Sequence, residues 1–416
     1  MKRLFANNTS IQKSTLLLIM FIDGLGMSLV LPLLGQLFST GSNSMLSSLA
    51  SSSVTSFYYC ASLVAFSGMM IIGASVLAQL SDNIGRKPTL RIALLGAIAG
   101  YLICALAVFV KMPLLFLTGR IIDGLTAGSI PVAQAIMTDL DSNDNKMTSI
   151  GLVMFAVTSG YMFGPLFASI GFVGAQHNLT LPFLLIAGLC CVSLILLHFV
   201  NDTFKPSRFK FASINLLSSF KQIGQLISQK SLRHMLLCFL LFQCAWTLFY
   251  QYIPLIHIAG QNLTGPQASI AMTIVGIAMC LGFCVAVPKL QGKMTPKRLA
   301  YVCLCLFCLF SVCYFIKSMS FIPFQMISVA LAMLYTVGYS SILAYLLSIA
   351  DDNQTGLVLG SVASICAISA TISALMGSSI GLVDNTVFFT IQLTLCLICL
   401  GLFTFNFKSK TVPTKT

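Results

Sequence analysis

The feature of this sequence that most limits how it folds is a succession of long apolar stretches separated by short polar turns. A helical stretch of about 20 apolar residues matches the thickness of the hydrocarbon core of a bilayer. Twelve such stretches follow one another, bounded by glycine, proline, asparagine or charged residues. The chain is therefore expected to be an all-α integral membrane protein. The predicted spans are 14–38, 54–80, 89–110, 113–138, 148–172, 180–200, 233–258, 267–290, 297–317, 321–349, 355–382 and 385–407.

The composition excludes a soluble globular protein. Only 8% of the 416 residues are charged, whereas soluble domains carry about 25%. The apolar stretch from Ser14 to Phe38 is too long for the core of a signal peptide, so we expect an uncleaved first span. The 15 cysteines all lie in apolar runs, so we predict small packing residues and no disulfide framework, metal site or cofactor.

The 23 lysine and arginine residues are distributed unevenly between alternate loops. Only Lys111 and Lys317 flank spans on one side, and nearly all the others lie on the side that holds both termini. The positive-inside rule makes that side cytoplasmic, so the basic excess indicates topology and not a nucleic-acid partner. A long polar segment divides the chain into an N-terminal six-helix bundle (1–200), a cytoplasmic linker (201–232) and a C-terminal six-helix bundle (233–416). Repeated six-helix halves are typical of alternating-access transporters.

A basic turn follows the second predicted span, and a weaker repeat of it lies at 291–298 in the second half. The first turn reads Ala78-Gln79-Leu80-Ser81-Asp82-Asn83-Ile84-Gly85-Arg86-Lys87-Pro88-Thr89-Leu90. This segment resembles the G-x-L-a-D-r-x-G-r-k-x-x-l signature of the major facilitator superfamily, so we expect two pseudo-symmetric six-helix bundles of that fold. Glycine permits the tight turn, and the cations anchor it at the cytoplasmic face. The resemblance implies a cytoplasmic gate formed by Asp82, Gly85, Arg86 and Lys87, in which Asp82 caps a helix of the second half.

Three spans also resemble the drug/proton antiporters of the tetracycline-resistance type. The similar segments are Phe21–Pro32, Arg120–Gly128 and Gly160–Ser169. In the last of these, Gly160 and Gly164 favour close approach of helices, and Pro165 permits a kink. Gly100 stands where a further acid is expected in a tetracycline antiporter. The resemblance therefore implies an exporter, while this departure argues against tetracycline itself as the substrate.

Asp23, Arg120 and Asp123 lie well inside predicted spans. A charge at mid-depth costs about 2.5–3.5 kcal/mol on insertion scales, so each of these residues needs a partner or a function. Arg120 and Asp123 are three residues apart and can pair on one helix face, and neutralisation alone is one interpretation of that pair. The other interpretation is proton coupling, with Asp23 as the principal proton carrier. The family resemblance implies that Asp23 pairs with Arg120.

An aromatic and amide stripe in the second half is the predicted lining of a substrate cavity. Gln243, Trp246 and Tyr250 share one face of the seventh span, and Tyr335 and Tyr339 share one face of the tenth. Aromatic faces with a few hydrogen-bonding groups suit amphiphilic or cationic ligands. Packing within the bundle is the alternative explanation of the stripe.

The sequence as a whole predicts a proton-coupled secondary transporter that exports a small amphiphilic or cationic molecule, such as a drug-like compound or a siderophore. A proton-coupled importer of a nutrient or siderophore, and a transporter-like sensor, are the alternatives. No P-loop or hydrolase motif is recognisable, so an ATP-driven pump or an enzyme is not predicted. We expect a monomer in the inner membrane, with both termini cytoplasmic, and with protons, a small molecule and lipids as its partners.

Overall fold

The computed structural model describes residues 2–38, 44–46, 51–140, 146–172, 178–202, 218–316, 319–350, 355–380 and 385–409. Over these ranges the regular structure is helical and contains no strand. The α-helices are α1 (Lys2–Leu37), α2 (Ser52–Ile84), α3 (Arg86–Phe109), α4 (Pro113–Thr126), α5 (Ser129–Leu140), α6 (Lys146–Ser169), α7 (Leu181–Leu196), α8 (Ser218–Ile227), α9 (Lys230–Leu255), α10 (Gly265–Leu281), α11 (Val287–Gln291), α12 (Pro296–Val312), α13 (Phe321–Ile349), α14 (Thr355–Ile380) and α15 (Asn385–Ser409). Short 3₁₀ helices cover Ile170–Phe172, Leu197–Phe199 and Cys313–Phe315, and π-helices cover Ile256–Gly260 and Gly282–Ala286.

Within the described ranges, twelve helical segments are long and apolar enough to cross a membrane. They are Thr9–Leu37, Ser53–Ile84, Arg86–Phe109, Pro113–Leu140, Gly151–Phe172, Leu181–Phe199, Leu232–Ile258, Gly265–Gln291, Pro296–Phe315, Phe321–Ile349, Leu357–Gly377 and Thr386–Thr404. Each overlaps one predicted span, so the prediction of twelve spans is confirmed. The bounds differ most at the start of α1 and the end of α2, where polar residues continue the helix beyond the apolar stretch.

The fourth span, predicted at 113–138, consists of two helices, because α4 ends at Thr126 and α5 begins at Ser129. The Thr126 hydroxyl donates hydrogen bonds to the carbonyl oxygens of Ile122 (3.0 Å) and Asp123 (3.2 Å). The Gly128 amide turns back to the Thr126 carbonyl at 3.0 Å instead of continuing the helical ladder. A side chain at Gly128 would collide with Leu77 of α2, so the break also permits close packing. The fourth span is therefore a discontinuous helix, with a new helix N-terminus inside it.

Packing divides the chain into two compact units. The first contains Met1–Ser218 and His257–Ile277, and the second contains Ser219–Ile256 and Ala278–Thr416. The core of the first unit includes Leu16, Ile19, Met20, Leu90, Leu94, Val132, Ile136, Met137, Val153 and Val157. A core cluster of the second unit is formed by Leu299, Cys303 and Val337, against which Leu290, Met294 and Leu334 pack.

The predicted linker, 201–232, is only partly within the described residues. Residues 203–217 lie outside them, and α8 shows that part of the remainder is helical. The domain boundaries at 1–200, 201–232 and 233–416 remain a prediction. The packing differs from them in grouping His257–Ile277 with the first unit.

Candidate functional site

Small residues allow α1 and α6 to pack backbone against backbone. A Cβ atom added at Gly24 would overlap the Val157 carbonyl, and one at Gly160 would overlap the Phe21 carbonyl. At Gly164 the added atom would overlap the Ser28 hydroxyl oxygen. These contacts fix the position of α1, and therefore that of Asp23, which lies one residue before Gly24.

We expect Gly160→Ala to lower the unfolding free energy by about 1–3 kcal/mol, because the new methyl group forces α1 and α6 apart. The matched control is Gly151→Ala on the same helix, where no atom lies within 4 Å of the added Cβ. This control is expected to be neutral or slightly stabilising, since alanine favours helix more than glycine does. Melting curves of the purified variants in one detergent give the comparison. Equal melting temperatures for the two variants would contradict the proposed close contact.

The half-buried Asp23 carboxylate lies at the break in the fourth span. Ser129, the first residue of α5, donates a hydrogen bond from its hydroxyl to Oδ2 of Asp23 at 2.6 Å. The unpaired amides at a helix N-terminus carry partial positive charge and favour a neighbouring anion. Asp23 is therefore held at a place where its ionised form has both a donor and a favourable helix dipole.

Arg120 and Asp123 form a buried ion pair on α4. The Arg120 Nη1 and Asp123 Oδ2 atoms are 2.7 Å apart, and the two residues are 2% and 4% exposed. The guanidinium carbon also lies 4.2 Å from the centroid of the Phe66 ring, a cation–π contact. The Nε atom of Arg120 is buried and has no acceptor among the described residues, so the guanidinium keeps one unused donor.

The pairing of Asp23 with Arg120 that the family resemblance implied is not present among the described contacts. Asp123 lies about one helical turn from Arg120 on the same helix and forms the ion pair with its guanidinium. Asp23 instead bonds to Ser129 and interacts with Asp123 only electrostatically. The expectation that Arg120 and Asp123 meet on one helix face is confirmed.

Helix α3 closes the other side of this group of residues. A side chain at Gly100 would collide with the Cβ atom of Asp123, so glycine there allows α3 and α4 to touch. Tyr101 is buried, and its hydroxyl lies beside Gly26 of α1. We call Asp23, Tyr101, Arg120, Asp123 and Ser129 the interior polar cluster. It is drawn from four helices of the first unit.

The signature turn between α2 and α3 is held by two acids that the sequence motif does not contain. Arg86 Nε forms an ion pair with Oδ2 of Asp139 at 2.8 Å. The Arg86 backbone amide donates to Oδ1 of Asp202 at 3.2 Å. Lys87 Nζ donates to the His198 carbonyl oxygen at 3.2 Å. Asp82 is exposed and lines a small cleft between α2 and α5 together with Arg86.

Glycine is required at position 85 of this turn. Glycine is not required at position 292 of the corresponding turn in the second half. Its φ of 104° and ψ of 160° lie in a region open only to glycine, and an added Cβ would meet the Asp202 carboxylate. We expect Gly85→Ala to cost about 1–3 kcal/mol of unfolding free energy, the usual cost of such backbone strain. Gly292→Ala is the control, since Gly292 has a φ of −71° and its added Cβ has only an ordinary contact. Melting temperatures in detergent measure the difference, and a Gly292→Ala loss as large as that of Gly85→Ala would refute this explanation.

Helix α5 connects the interior polar cluster to the signature turn. Its first residue, Ser129, bonds to Asp23, and Asp139 near its end pairs with Arg86. Twelve helical residues span about 18 Å. A movement of the Asp23 side chain can thus be transmitted to Arg86 through the rigid helix α5, within the first unit.

The predicted cavity residues of the second unit form one connected cluster, which we call the aromatic cluster. The Trp246 and Tyr335 rings stack with centroids 4.2 Å apart, and the ring of Tyr250 lies 5.7 Å from that of Trp246. Tyr339 lies 5.9 Å from Tyr335. Gln243 donates from Nε2 to the Tyr335 hydroxyl at 3.1 Å, while its buried Oε1 has no donor among the described residues. Gln243, Trp246 and Tyr335 are 4%, 3% and 6% exposed, so these side chains pack on one another as the packing explanation of the stripe expects, and one buried acceptor is left unused.

Comparison with known proteins decides the family. The family model described as Major Facilitator Superfamily matches residues 16–374. The chain belongs to the major facilitator superfamily. Members of this superfamily are multi-pass membrane transporters and not enzymes. Transporters of this superfamily bind small-molecule substrates and often use protons.

Tetracycline resistance proteins are among its relatives within the superfamily. The class H protein of Pasteurella multocida is 31% identical over 192 residues, which make up 46% of this chain and 44% of that protein. The class E protein of Escherichia coli is 30% identical over 220 residues, or 52% of this chain and 50% of that protein. The chain thus matches about half the length of these relatives.

Solved structures show that the chain has the major facilitator fold. The crystal structure of the human organic anion transporter MFSD10 superposes with a TM-score of 0.69 at 19% identity, covering 95% of this chain and 99% of that one. The D-xylose-proton symporter superposes with a TM-score of 0.72 at 14% identity, covering 96% and 99%. At such identities the likeness concerns the fold alone.

Sequence reasoning missed several partners in this major facilitator protein. Ser129, Tyr101 and Phe66 complete the surroundings of the interior charges, and Asp139 and Asp202 hold the signature turn. Asp139 could have been predicted as a functional residue, because it is an acid at the very end of an apolar span. Ser129 follows a Gly128 that itself marks the break, but neither residue is unusual in a membrane helix.

Proposed function

We propose that this protein is a proton-coupled exporter of a small amphiphilic or cationic molecule, working by alternating access. The observation that carries the proposal is the Asp23 carboxylate at the N-terminus of α5, beside the buried Arg120–Asp123 pair. Ionisable groups inside a membrane bundle are costly and mark ion or substrate pathways. With all three ionised, the cluster has one net negative charge, which a proton or a cationic substrate neutralises.

Protonation of Asp23 changes its bond to α5. The ionised carboxylate accepts the Ser129 hydrogen bond and is attracted by the helix dipole, whereas the neutral carboxyl is held more weakly by both. Binding of a proton therefore loosens α5 at the break formed by Ala127 and Gly128. Because Asp139 at the far end of α5 holds Arg86, loosening α5 alters the signature turn. In this mechanism α5 transmits the protonation state of Asp23 to the gate residues Asp82, Gly85, Arg86 and Lys87.

Asp123 of the buried ion pair interacts electrostatically with Asp23, while Arg120 balances the charge of Asp123. The unused Nε donor of Arg120 is available to an incoming polar group of the substrate or to Asp23 in another conformation. Competition between proton and substrate for the same negative cluster gives obligatory exchange. Asp23, Arg120 and Asp123 together are the proposed coupling site.

The proposed cargo is a planar amphiphile. Support comes from the aromatic side chains around Gln243 and from its unused Oε1 acceptor, which suits a ligand that carries a hydrogen-bond donor. The relatives named for tetracycline resistance agree with export of a drug-like ring system. Gly100, which replaces an expected acid, favours a compound other than tetracycline.

The remaining parts of the proposal concern location and assembly. We place the protein in a bacterial-type inner membrane as a monomer, with both termini cytoplasmic because the basic loops lie on their side. Two six-helix domains joined by the polar segment 201–232 form its halves.

Everted membrane vesicles test direction and coupling together. Vesicles energised by a proton gradient are challenged with tetracycline, cationic dyes and siderophores, and uptake into the vesicle means export from the cell. We expect uptake that collapses when a protonophore removes the gradient. Uptake only in right-side-out vesicles would instead favour the importer, and saturable binding without flux would favour a sensor.

A further inference from the structure

The turn between α11 and α12 carries four cations within ten residues, which we call the basic turn patch: Lys289, Lys293, Lys297 and Arg298. Lys289, Lys293 and Arg298 are exposed. Lys297 is half-buried, with its ammonium nitrogen 5.8 Å from the centroid of the Tyr345 ring. The whole patch belongs to the second unit.

The backbone beneath the patch is fixed. Met294 and Leu290 pack against the core cluster around Leu299 and Val337. The amides of Lys293 and Met294 both donate to the Leu290 carbonyl, at 3.0 and 3.1 Å. The backbone positions that carry the cations are therefore set before any ligand arrives, which lowers the entropic cost of binding.

The two turns of the weak repeat differ in how their charges are satisfied. In the signature turn, Arg86 pairs with Asp139 and bonds to Asp202. In the part of the chain that the structure describes, no carboxylate pairs with Lys289, Lys293 or Arg298. The charge of Arg86 in the first turn is neutralised by acids of the same chain. The exposed cations of the second turn are available to an anion that does not belong to the described chain.

Exposed apolar side chains lie on the two membrane-spanning segments that this turn joins, Gly265–Gln291 and Pro296–Phe315. Leu281, Val285 and Lys289 follow one another at intervals of four residues, and the first two are 50% and 42% exposed. On α12, beyond Arg298, Leu306 and Leu309 are also exposed. Large apolar residues exposed in a membrane-spanning segment face the hydrocarbon of lipid. The cations thus stand at the end of a lipid-facing surface, at the level of the headgroups.

We propose that the basic turn patch binds the phosphate of an anionic phospholipid, whose acyl chains lie along Leu281, Val285, Leu306 and Leu309. Clusters of four or more cations next to a membrane helix are a known form of anionic-lipid recognition. A lipid is favoured over a soluble anion because it uses both the charges and the adjoining apolar side chains. The same site would hold the end of this bundle against the headgroup layer.

The test uses the full-length protein in nanodiscs of phosphatidylcholine, alone or mixed equally with phosphatidylglycerol. We expect phosphatidylglycerol to raise the melting temperature of the wild-type protein by several degrees. Native mass spectrometry is expected to show a retained phosphatidylglycerol. The variant K289Q/R298Q is expected to lose at least half of the rise and to retain less lipid. The control R91Q/R233Q removes the same charge from two exposed positions outside the patch and is expected to keep both effects.

Three outcomes overturn the proposal. One is an equal melting temperature in the two lipid mixtures for the wild-type protein. Another is an equal loss in K289Q/R298Q and R91Q/R233Q, which means unspecific attraction to a charged surface. The third is that inorganic phosphate added to phosphatidylcholine nanodiscs reproduces the full rise, which means a soluble anion. Should the double variant not purify, K293Q against R91Q makes the same comparison.

Discussion

Asp23→Asn is expected to abolish accumulation driven by a proton gradient while leaving the protein folded. The amide keeps the shape of the carboxylate and still accepts the Ser129 hydrogen bond, but it binds no proton at physiological pH. We expect gradient-driven uptake into proteoliposomes to fall roughly 100-fold or more, the scale seen when a proton-transferring group is removed. Exchange of labelled for unlabelled substrate without a gradient is expected to continue, because exchange needs no net proton movement. Full gradient-driven accumulation by this variant would remove Asp23 from the mechanism.

Asp202→Asn is the control for Asp23→Asn, because it also removes one carboxylate from the protein. Asp202 bonds to the Arg86 amide in the signature turn and takes no part in the interior polar cluster. We expect it to change the rate of transport but to leave the number of protons moved per substrate unchanged. The two readouts, rate and stoichiometry, separate damage to the gate from loss of the proton carrier.

The helices and the Arg120–Asp123 ion pair could be predicted from the sequence, because both depend on residues that are close together in the chain. A span shows itself as an apolar stretch of fixed length, and twelve were found where twelve were predicted. Arg120 and Asp123 meet because three residues bring side chains onto one helix face. Gly160 and Gly164 were recognisable because close backbone contacts require small residues.

What the sequence did not reveal depends on which helices become neighbours. Ser129 bonds to Asp23, which lies 106 positions away in the sequence, and no sequence pattern near either residue predicts this contact. The break at Ala127 and Gly128 arises from packing against α2, since these residues are common in unbroken membrane helices. The additional pairing of Asp23 with Arg120, implied by the family resemblance, is not among the described contacts for the same reason. A resemblance gives the residue types of a site, while distances within the folded chain decide which of them touch.

Removing one member of the Arg120–Asp123 pair is expected to be among the most destabilising changes in the chain. Arg120→Met leaves a buried carboxylate without its cation, and Asp123→Leu leaves a buried guanidinium without its anion. Each is expected to cost about 3–5 kcal/mol of unfolding free energy, the usual cost of an uncompensated buried charge. The double variant Arg120→Met/Asp123→Leu is expected to recover most of this loss, because apolar side chains of similar size replace buried pairs well. Methionine also keeps a favourable contact with Phe66. Melting temperatures of the four proteins in one detergent complete the cycle.

Transport by the double variant decides between the two explanations of the pair. Its interior charge is still one negative charge, that of Asp23, so the net charge is the same as in the wild-type protein. If the pair only neutralises itself, the double variant should regain proton-driven transport along with stability. We expect stability to return and gradient-driven uptake to stay at least tenfold below wild type, because the Arg120–Asp123 pair, whose carboxylate interacts electrostatically with Asp23, is gone. Full recovery of both would assign Arg120 and Asp123 a structural role and leave proton coupling to Asp23 alone.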